Sequence, residues 1–203
     1  MTESDARRAV AAFDFDGTIA RRDTLVPFLA TVVGRTALTR AALRRAPQLA
    51  GMAIGRADRD VEKAHLIRQL LGGRIAAEID EAGTRYAARL WARGQFRPEI
   101  LDRLAWHRAE GHDIVIVSAS LDVYLRPLAP RLGVGHVISC SLAIDERRRL
   151  TGELVGGNVR GPEKVKRLQA WLGPGPVELW AYGDSSGDAE LLALADHPTR
   201  VGR

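Results

Sequence analysis

The sequence predicts an α/β fold: a parallel sheet with helices on both faces, interrupted after its first strand by a small helical insertion. Three observations carry that prediction. Short apolar runs alternate with helical segments through the second half of the chain, the pattern that a parallel sheet with helices on both faces requires. Three of those runs, at 10–15, 113–117 and 177–182, finish on polar residues. Between the first run and the second lies an Ala/Leu/Arg-rich stretch, from Asp23 to about Arg93, that keeps helical spacing throughout.

Val10–Phe15 reads as a buried strand that turns sharply at Asp16-Gly17-Thr18. The stretch that follows is punctuated by Gly34, Pro47, Gly55 and Gly72-Gly73, which divides it into four or so helices. Pro98–Glu110 is a further helix, stopped by Gly111, and Asp113–Val117 is an apolar strand running into Ser118. A helix from about Leu121 to Leu132 and a short strand at His136–Ser139 come next. Leu142–Leu154, with charged Asp145–Arg149 at its middle, resembles a hairpin. Gly161-Pro162 opens a helix, since proline suits the first helical turn. Val177–Tyr182 is a strand, Ser186–Leu194 a helix and Thr199–Val201 a last strand, soon before the chain ends at Arg203.

Size and composition suit one core domain with a modest insertion: 203 residues, 46% of them hydrophobic. The net charge of +5 comes mostly from dispersed arginines that are not interleaved with aromatics, which argues against a nucleic-acid surface. Cys140 is the single cysteine, so a disulfide framework and a thiolate metal cluster are both excluded. The first eight residues are polar and charged, and no apolar run approaches the ~20 residues needed to span a bilayer. A cytoplasmic protein is expected.

In an open α/β sheet, ligands bind beyond the carboxyl ends of the strands, where the strand order reverses. Asp14 and Asp16, Ser118, and Asp184 with Asp188 are therefore expected to face one place. Strand alternation turns Asp14 and Asp16 to the same side, and two carboxylates that close raise each other's proton affinity unless a cation lies between them. Asp184 and Asp188, four apart at a strand-to-helix junction, suit a hard cation held by oxygens. On this reading Asp14 and Asp184 are the direct ligands of Mg²⁺, the backbone carbonyl of Asp16 adds a third oxygen, and Asp188 orients a ligand or Lys164. The hydroxyl of Ser118 and the N–H groups of Ala119 and Ser120 are candidates for a phosphate oxygen. Lysine is scarce here, and Lys164 at a helix start suits neutralisation of a phosphate. Each feature has a plainer reading as well: an Asp-Gly turn, a helix cap at Asp184 or Ser185, a capping Ser118, a solvated lysine.

Taken in order, these residues are the four motifs of the haloacid-dehalogenase superfamily: Asp14-Phe15-Asp16-Gly17-Thr18, the strand-end Ser118, Lys164, and Gly183-Asp184-Ser185-Ser186-Gly187-Asp188. The whole chain resembles the phosphoserine-phosphatase-like subfamily IB, with further likeness at Trp106-His107-Arg108, Val117–Ser120, Thr151-Gly152-Glu153 and Gly157–Gly161. The resemblance implies a Rossmann-like core formed by 1–20 and 96–203, with a helical cap at 21–95. It implies that Asp14 is the nucleophile and that Asp16 serves as general acid and then general base. It also implies that Asp23 and Arg68 read the amino and carboxylate groups of a phosphoserine-like substrate. Asp23 is shorter than the usual Glu, Gly187 stands where Asn is common, and Ala119-Ser120 replaces a Gly-Gly pair.

The function expected is a Mg²⁺-dependent phosphomonoester hydrolase acting on a small phosphorylated metabolite. Two alternatives stay open. One is a lipid phosphate phosphatase of phosphatidylglycerophosphatase type at a membrane surface, because Arg35, Arg40, Arg44, Arg45 and Arg56 lie among Leu25, Val26, Phe28, Leu29, Leu38, Leu43, Leu49 and Met52. The other is a non-catalytic binding module with the same fold. Oligomeric state is not readable from the sequence.

Overall fold

The computed structural model describes residues 7–44 and 59–202. Its centre is β1 (Arg8–Phe13), whose Val10, Ala11, Ala12 and Phe13 are fully buried. A strand covered on both faces needs a continuous apolar run rather than an alternating one, and that is what these residues supply. β1 lies between β2 (Asp113–Leu121) and β6 (Val177–Gly183), with β3 (His136–Cys140) outside β2 and β7 (His197–Arg200) outside β6. All five strands are parallel, in the order β3-β2-β1-β6-β7. The chain thus builds outward from β1 on one side and then crosses to the other. The reversal falls at β1, so the carboxyl ends of β1, β2 and β6 meet at one crevice.

The insertion after β1 contains α1 (Leu25–Val33), α2 (Arg35–Arg44), α3 (Arg59–Leu71) and α4 (Ala76–Arg93). The chain leaves and re-enters the sheet layer side by side. Arg21 N donates to Gln95 O at 3.0 Å and Arg97 N to Ile19 O at 3.0 Å. Against the core the insertion packs a triangle of buried rings, Phe28, Tyr86 and Tyr124, with centroids 5.1–5.5 Å apart. Of the residues that suggested a membrane-facing cap, Leu25, Phe28 and Leu29 are buried in the core, while Val26, Leu43, Arg35, Arg40 and Arg44 are exposed. Arg45, Leu49, Met52 and Arg56, like Pro47 and Gly55, lie outside the described residues. No helix of the described residues is long and apolar enough to cross a membrane.

The return to the core runs through α5 (Pro98–Ala109), β2, α6 (Asp122–Leu128) and β3, then an antiparallel pair of β4 (Leu142–Ile144) and β5 (Leu150–Leu154). Then come α7 (Pro162–Leu172), β6, α8 (Ala189–Leu194) and β7. Several elements differ from the sequence prediction: β1 is Arg8–Phe13 and stops before Asp14, β7 is His197–Arg200 where Thr199–Val201 is expected, and the helix expected from Ser186 is a 3₁₀ turn up to Asp188. β2 does not stop at Val117 but continues to Leu121, with a shift in its pairing to β3 between those residues. The helix expected to reach Leu132 is α-helical only to Leu128 and finishes as a 3₁₀ turn over Ala129–Leu132. Pro127 and Pro130 explain the change, because each removes an amide donor from the helical ladder.

Candidate active site

At the reversal of strand order the structure has an open cavity of about 510 Å³, lined by Asp14, Asp16, Ser118, Ala119, Lys164, Asp184 and Asp188 among others. Each comes from a different kind of position. Asp14 follows directly on β1, and its N–H continues the ladder to Tyr182 O of β6 at 2.9 Å. Ser118 and Ala119 lie in the irregular part of β2. Lys164 is in the first turn of α7, and Asp184 and Asp188 follow β6.

Lys164 is the floor of the cavity, 2% exposed. Its Nζ donates to Asp14 Oδ1 and to Asp188 Oδ1, both at 2.6 Å. Burial alone would lower the lysine's pKa, but the two carboxylates reverse that and raise it. Asp188 is held below the usual carboxylate range: Lys164 and Ser185 overcome the effect of burial. Its second oxygen accepts from Ser185 N at 3.0 Å and Ser185 Oγ at 2.8 Å. Asp14 moves the other way, up to about 6, because burial and the negative charge of Asp188 outweigh the help of Lys164. A carboxylate so placed gains from any further positive charge.

Carboxylate oxygens of Asp14, Asp184 and Asp188 all lie within 4.8 Å of one another. Gly17 makes room for this cluster. Its φ is +86°, and a Cβ there would come within 2.4 Å of Asp184 Oδ2, so both the backbone and the space demand glycine. An all-oxygen donor set with a carboxylate admitted by a missing Cβ fits Mg²⁺. Asp188 has already spent one oxygen on Lys164 and the other on Ser185, so Asp14 and Asp184 are the better-placed ligands of the three.

Asp16 stands apart from that cluster. Its Oδ1 accepts from Thr24 N at 3.0 Å and Thr24 Oγ1 at 2.7 Å, and its Oδ2 takes a short hydrogen bond from Ser120 Oγ. Tyr86 OH donates to Thr24 O at 2.9 Å, which ties this arrangement to α4. Burial and the nearby charge of Asp23 raise the Asp16 pKa, against the hydrogen bonds from Ser120 and Thr24. A carboxyl kept protonated near neutrality can donate a proton and later take one back.

Of the other residues singled out from sequence, Asp23 lines the cavity at its mouth, and its Oδ1 also accepts Val26 N at 3.1 Å at the start of α1. Ser120 stands behind Asp16 rather than on the cavity wall. Arg68 is not brought to the site. It lies on the outer side of α3 and pairs with Glu153 of β5 at 2.8 Å, both side chains 61% exposed. A surface ion pair accounts for it, and the expectation that it reads a substrate carboxylate is corrected.

Several residues at or beside the site escape the sequence reading. Thr24 was invisible because its role depends on folding back eight positions to Asp16. Lys63, on α3, donates to Ala119 O and, at 2.5 Å, to Asn158 Oδ1, joining the insertion to the end of β2 and to the loop before α7. A signal existed: it is one of only three lysines in the chain, and the scarcity that marked Lys164 marks it too. Arg21, Arg22 and Arg97 also line the cavity, and in so arginine-rich a sequence nothing distinguishes them; Arg160 lines it too, from within the Gly157–Gly161 stretch that resembles the subfamily.

Comparison with known proteins bears on the family and the fold. Protein CicA of Caulobacter vibrioides is 38% identical over 187 residues, covering 92% of this chain and 83% of the relative. A protein of unknown function from Bordetella pertussis Tohama I has the same fold, with a TM-score of 0.76 at 23% identity over 93% of this chain and 87% of that one. A substrate-bound phosphoserine phosphatase superposes with a TM-score of 0.60 at 15% identity over 97% and 85% of the two chains. Residues 11–193 match the family of haloacid dehalogenase-like hydrolases, and the chain belongs to that family.

Proposed function

We propose that the chain hydrolyses small phosphomonoesters by way of a phosphoryl group carried on Asp14. The observation that supports this most directly is the placement of two neighbouring carboxyls in different environments: Asp14 held by a buried ammonium on the cavity floor, Asp16 turned away and held by hydroxyls. One is set to attack and the other to move a proton.

In this reading Asp14 attacks phosphorus while Asp16 gives its proton to the departing alcohol oxygen. An aspartyl-phosphate and a free alcohol result. Asp16, now a carboxylate, takes a proton from water as that water attacks phosphorus, which returns Asp14 and releases phosphate. Ser118 Oγ and the amide of Ala119 supply donors to the phosphoryl oxygens, the Ser120 amide being given to Ser118 Oγ at 3.2 Å, and Lys164 offsets the charge that gathers on them. Asp14, Asp184 and the main-chain carbonyl of Asp16 would hold Mg²⁺, which when bound screens the attacking carboxylate from the charge of the phosphate. The helices at 21–95 act as a cap over the cavity mouth. With Arg68 paired to Glu153 on the surface, no described residue at the cavity favours phosphoserine over its neighbours in chemistry, so the reading stays with small phosphomonoesters as a class.

The test is turnover of a panel of phosphate esters with Mg²⁺ and with chelator, together with acid quench and identification of the phosphorylated residue. Label on Asp14 supports the reading. Label on a serine or histidine, or full turnover in strong chelator, overturns it.

A further inference from the structure

Of the arginines that line the cavity, Arg21 and Arg22 are exposed and Arg97 is bonded to Gly17 and Glu99, which leaves Arg160 as the half-buried one without a carboxylate among the described residues. It lies in the loop before α7, half-buried, with its side chain laid across Gly187. A Cβ on residue 187 would fall 2.8 Å from Arg160 Nε and 3.1 Å from its Cγ. The φ of Gly187 is not in the left-handed region, so the glycine serves space and not backbone conformation. The main chains are tied at the same point, Gly161 N donating to Gly187 O at 3.0 Å. The seat is therefore shaped for this side chain.

What the seated guanidinium does there is not explained by the protein's own contacts. Arg97 gives its Nε to Gly17 O at 2.9 Å and meets Glu99 at 3.3 Å, and Arg21 gives its Nε to Phe96 O at 2.9 Å. Arg160 has one long bond from its side chain, to Ser186 Oγ at 3.4 Å, and pairs with no carboxylate among the described residues. A guanidinium carries five N–H donors in a planar fork, and a partly desolvated one facing a cavity favours an anionic partner. The position favours a partner other than the phosphoryl group on the cavity floor. Ser118 and Lys164, which face that group, are 1% and 2% exposed, whereas Ser186, beside which Arg160 ends, is exposed. The guanidinium sits toward the mouth.

We propose that Arg160, seated on Gly187, reads a second anionic group of the substrate, a carboxylate or a second phosphate carried a few bonds from the ester that is cleaved. This rests on the phosphomonoesterase reading above, and it gives the substrate class a charge requirement that Arg68 does not supply.

The experiment compares substrates that differ at that group alone. 3-Phosphoglycerate is set against glycerol 3-phosphate for a carboxylate, and fructose 1,6-bisphosphate against fructose 6-phosphate for a second phosphate. Within at least one pair, wild type should favour the anionic member in kcat/KM. Arg160→Ala should cut that ratio roughly 10- to 100-fold, the scale of a charge-assisted hydrogen bond, and Arg160→Lys should restore part of it. Gly187→Ala keeps the arginine but pushes it off its seat, and should cut the same ratio. A wild-type ratio near one in both pairs overturns the proposal. So does an Arg160→Ala loss shared equally by both members, which would assign the arginine to the transferred phosphoryl group. If wild type turns over none of these four esters, the phosphomonoesterase reading is decided by the wider panel and not by Arg160. The proposal is then read from calorimetric binding of the same pairs to Asp14→Asn protein with Mg²⁺, where equal affinity within each pair overturns it.

Discussion

Lys164 touches Asp14 and Asp188 at once, and that double contact sets what each substitution in the floor should do. Asp14→Asn keeps the shape and removes the anion, so turnover should drop to background while circular dichroism stays native. Lys164→Met instead leaves two buried carboxylates facing each other, a loss on the order of 3–5 kcal/mol in urea unfolding. Asp16→Asn should cost about 10²–10⁴-fold on an alkyl phosphate such as glycerol phosphate. The loss should be much smaller on p-nitrophenyl phosphate, whose leaving group needs little protonation; equal losses on both would remove the proton-transfer role of Asp16. The acids behind these predictions were legible in the sequence because strand alternation and a shared sheet edge bring them together. The hydroxyls that hold Asp16 were not. Thr24 is 8 positions from it and Ser120 is 104, and no local spacing encodes that meeting.

Among the elements, those that are buried on both sides or bounded by glycine and proline were readable, and those whose ends depend on neighbours were not. β6 falls where its apolar run places it, and β1 covers its run from Val10 but stops at Phe13, two residues short of the expected end. β2 overran its run because the irregular pairing that ends on Leu121↔Cys140 is a property of the sheet and not of the strand. The contact of α3 with the core is of the same kind. Lys63 reaches Ala119 O, Asn158 Oδ1 at 2.5 Å and Cys140 Sγ at 3.4 Å, while Asn158 Nδ2 donates to Asp60 Oδ1, one turn earlier on α3, at 2.8 Å. Helix, strand end and loop are thereby joined through one ammonium. Lys63→Met removes the donor from a carbonyl and an amide oxygen inside the protein, which should lower stability by about 1–3 kcal/mol. Amide exchange at 118–120 should quicken as well, since Ala119 loses its anchor. Unchanged exchange there, with stability lost, would make Lys63 a packing residue without influence on the site.

At the scale of the whole molecule, the sheet has a second polar cluster that the proposed chemistry does not use. His107 of α5 is fully buried against Phe13 and Trp180, its Nε2 2.9 Å from Tyr182 OH and its Nδ1 2.8 Å from His112 Nδ1. Burial, with the nearby charges of His112 and Arg103, lowers its pKa from 6.5 to about 4. In the unfolded chain the same ring takes up its proton near pH 6.5. Between those values the unfolded state binds more protons, so the folded state loses stability as pH falls through the window, by about 3 kcal/mol at most. Above pH 6.5 both states are neutral at this ring and the contribution is flat. Asp14 and Asp16 pull in the opposite direction, because a raised carboxyl pKa favours the folded state as pH falls. The raw stability curve therefore mixes these effects, and a difference is needed to separate them. His107→Gln keeps a hydrogen-bonding group near Tyr182 and cannot titrate. The stability of wild type minus that of the variant, from urea unfolding, should be level between pH 8 and 6.5 and shrink steadily from 6.5 to 4. A difference that stays constant over that window would mean that His107 carries its proton in the folded protein, and that the pair of histidines is held together in some other way.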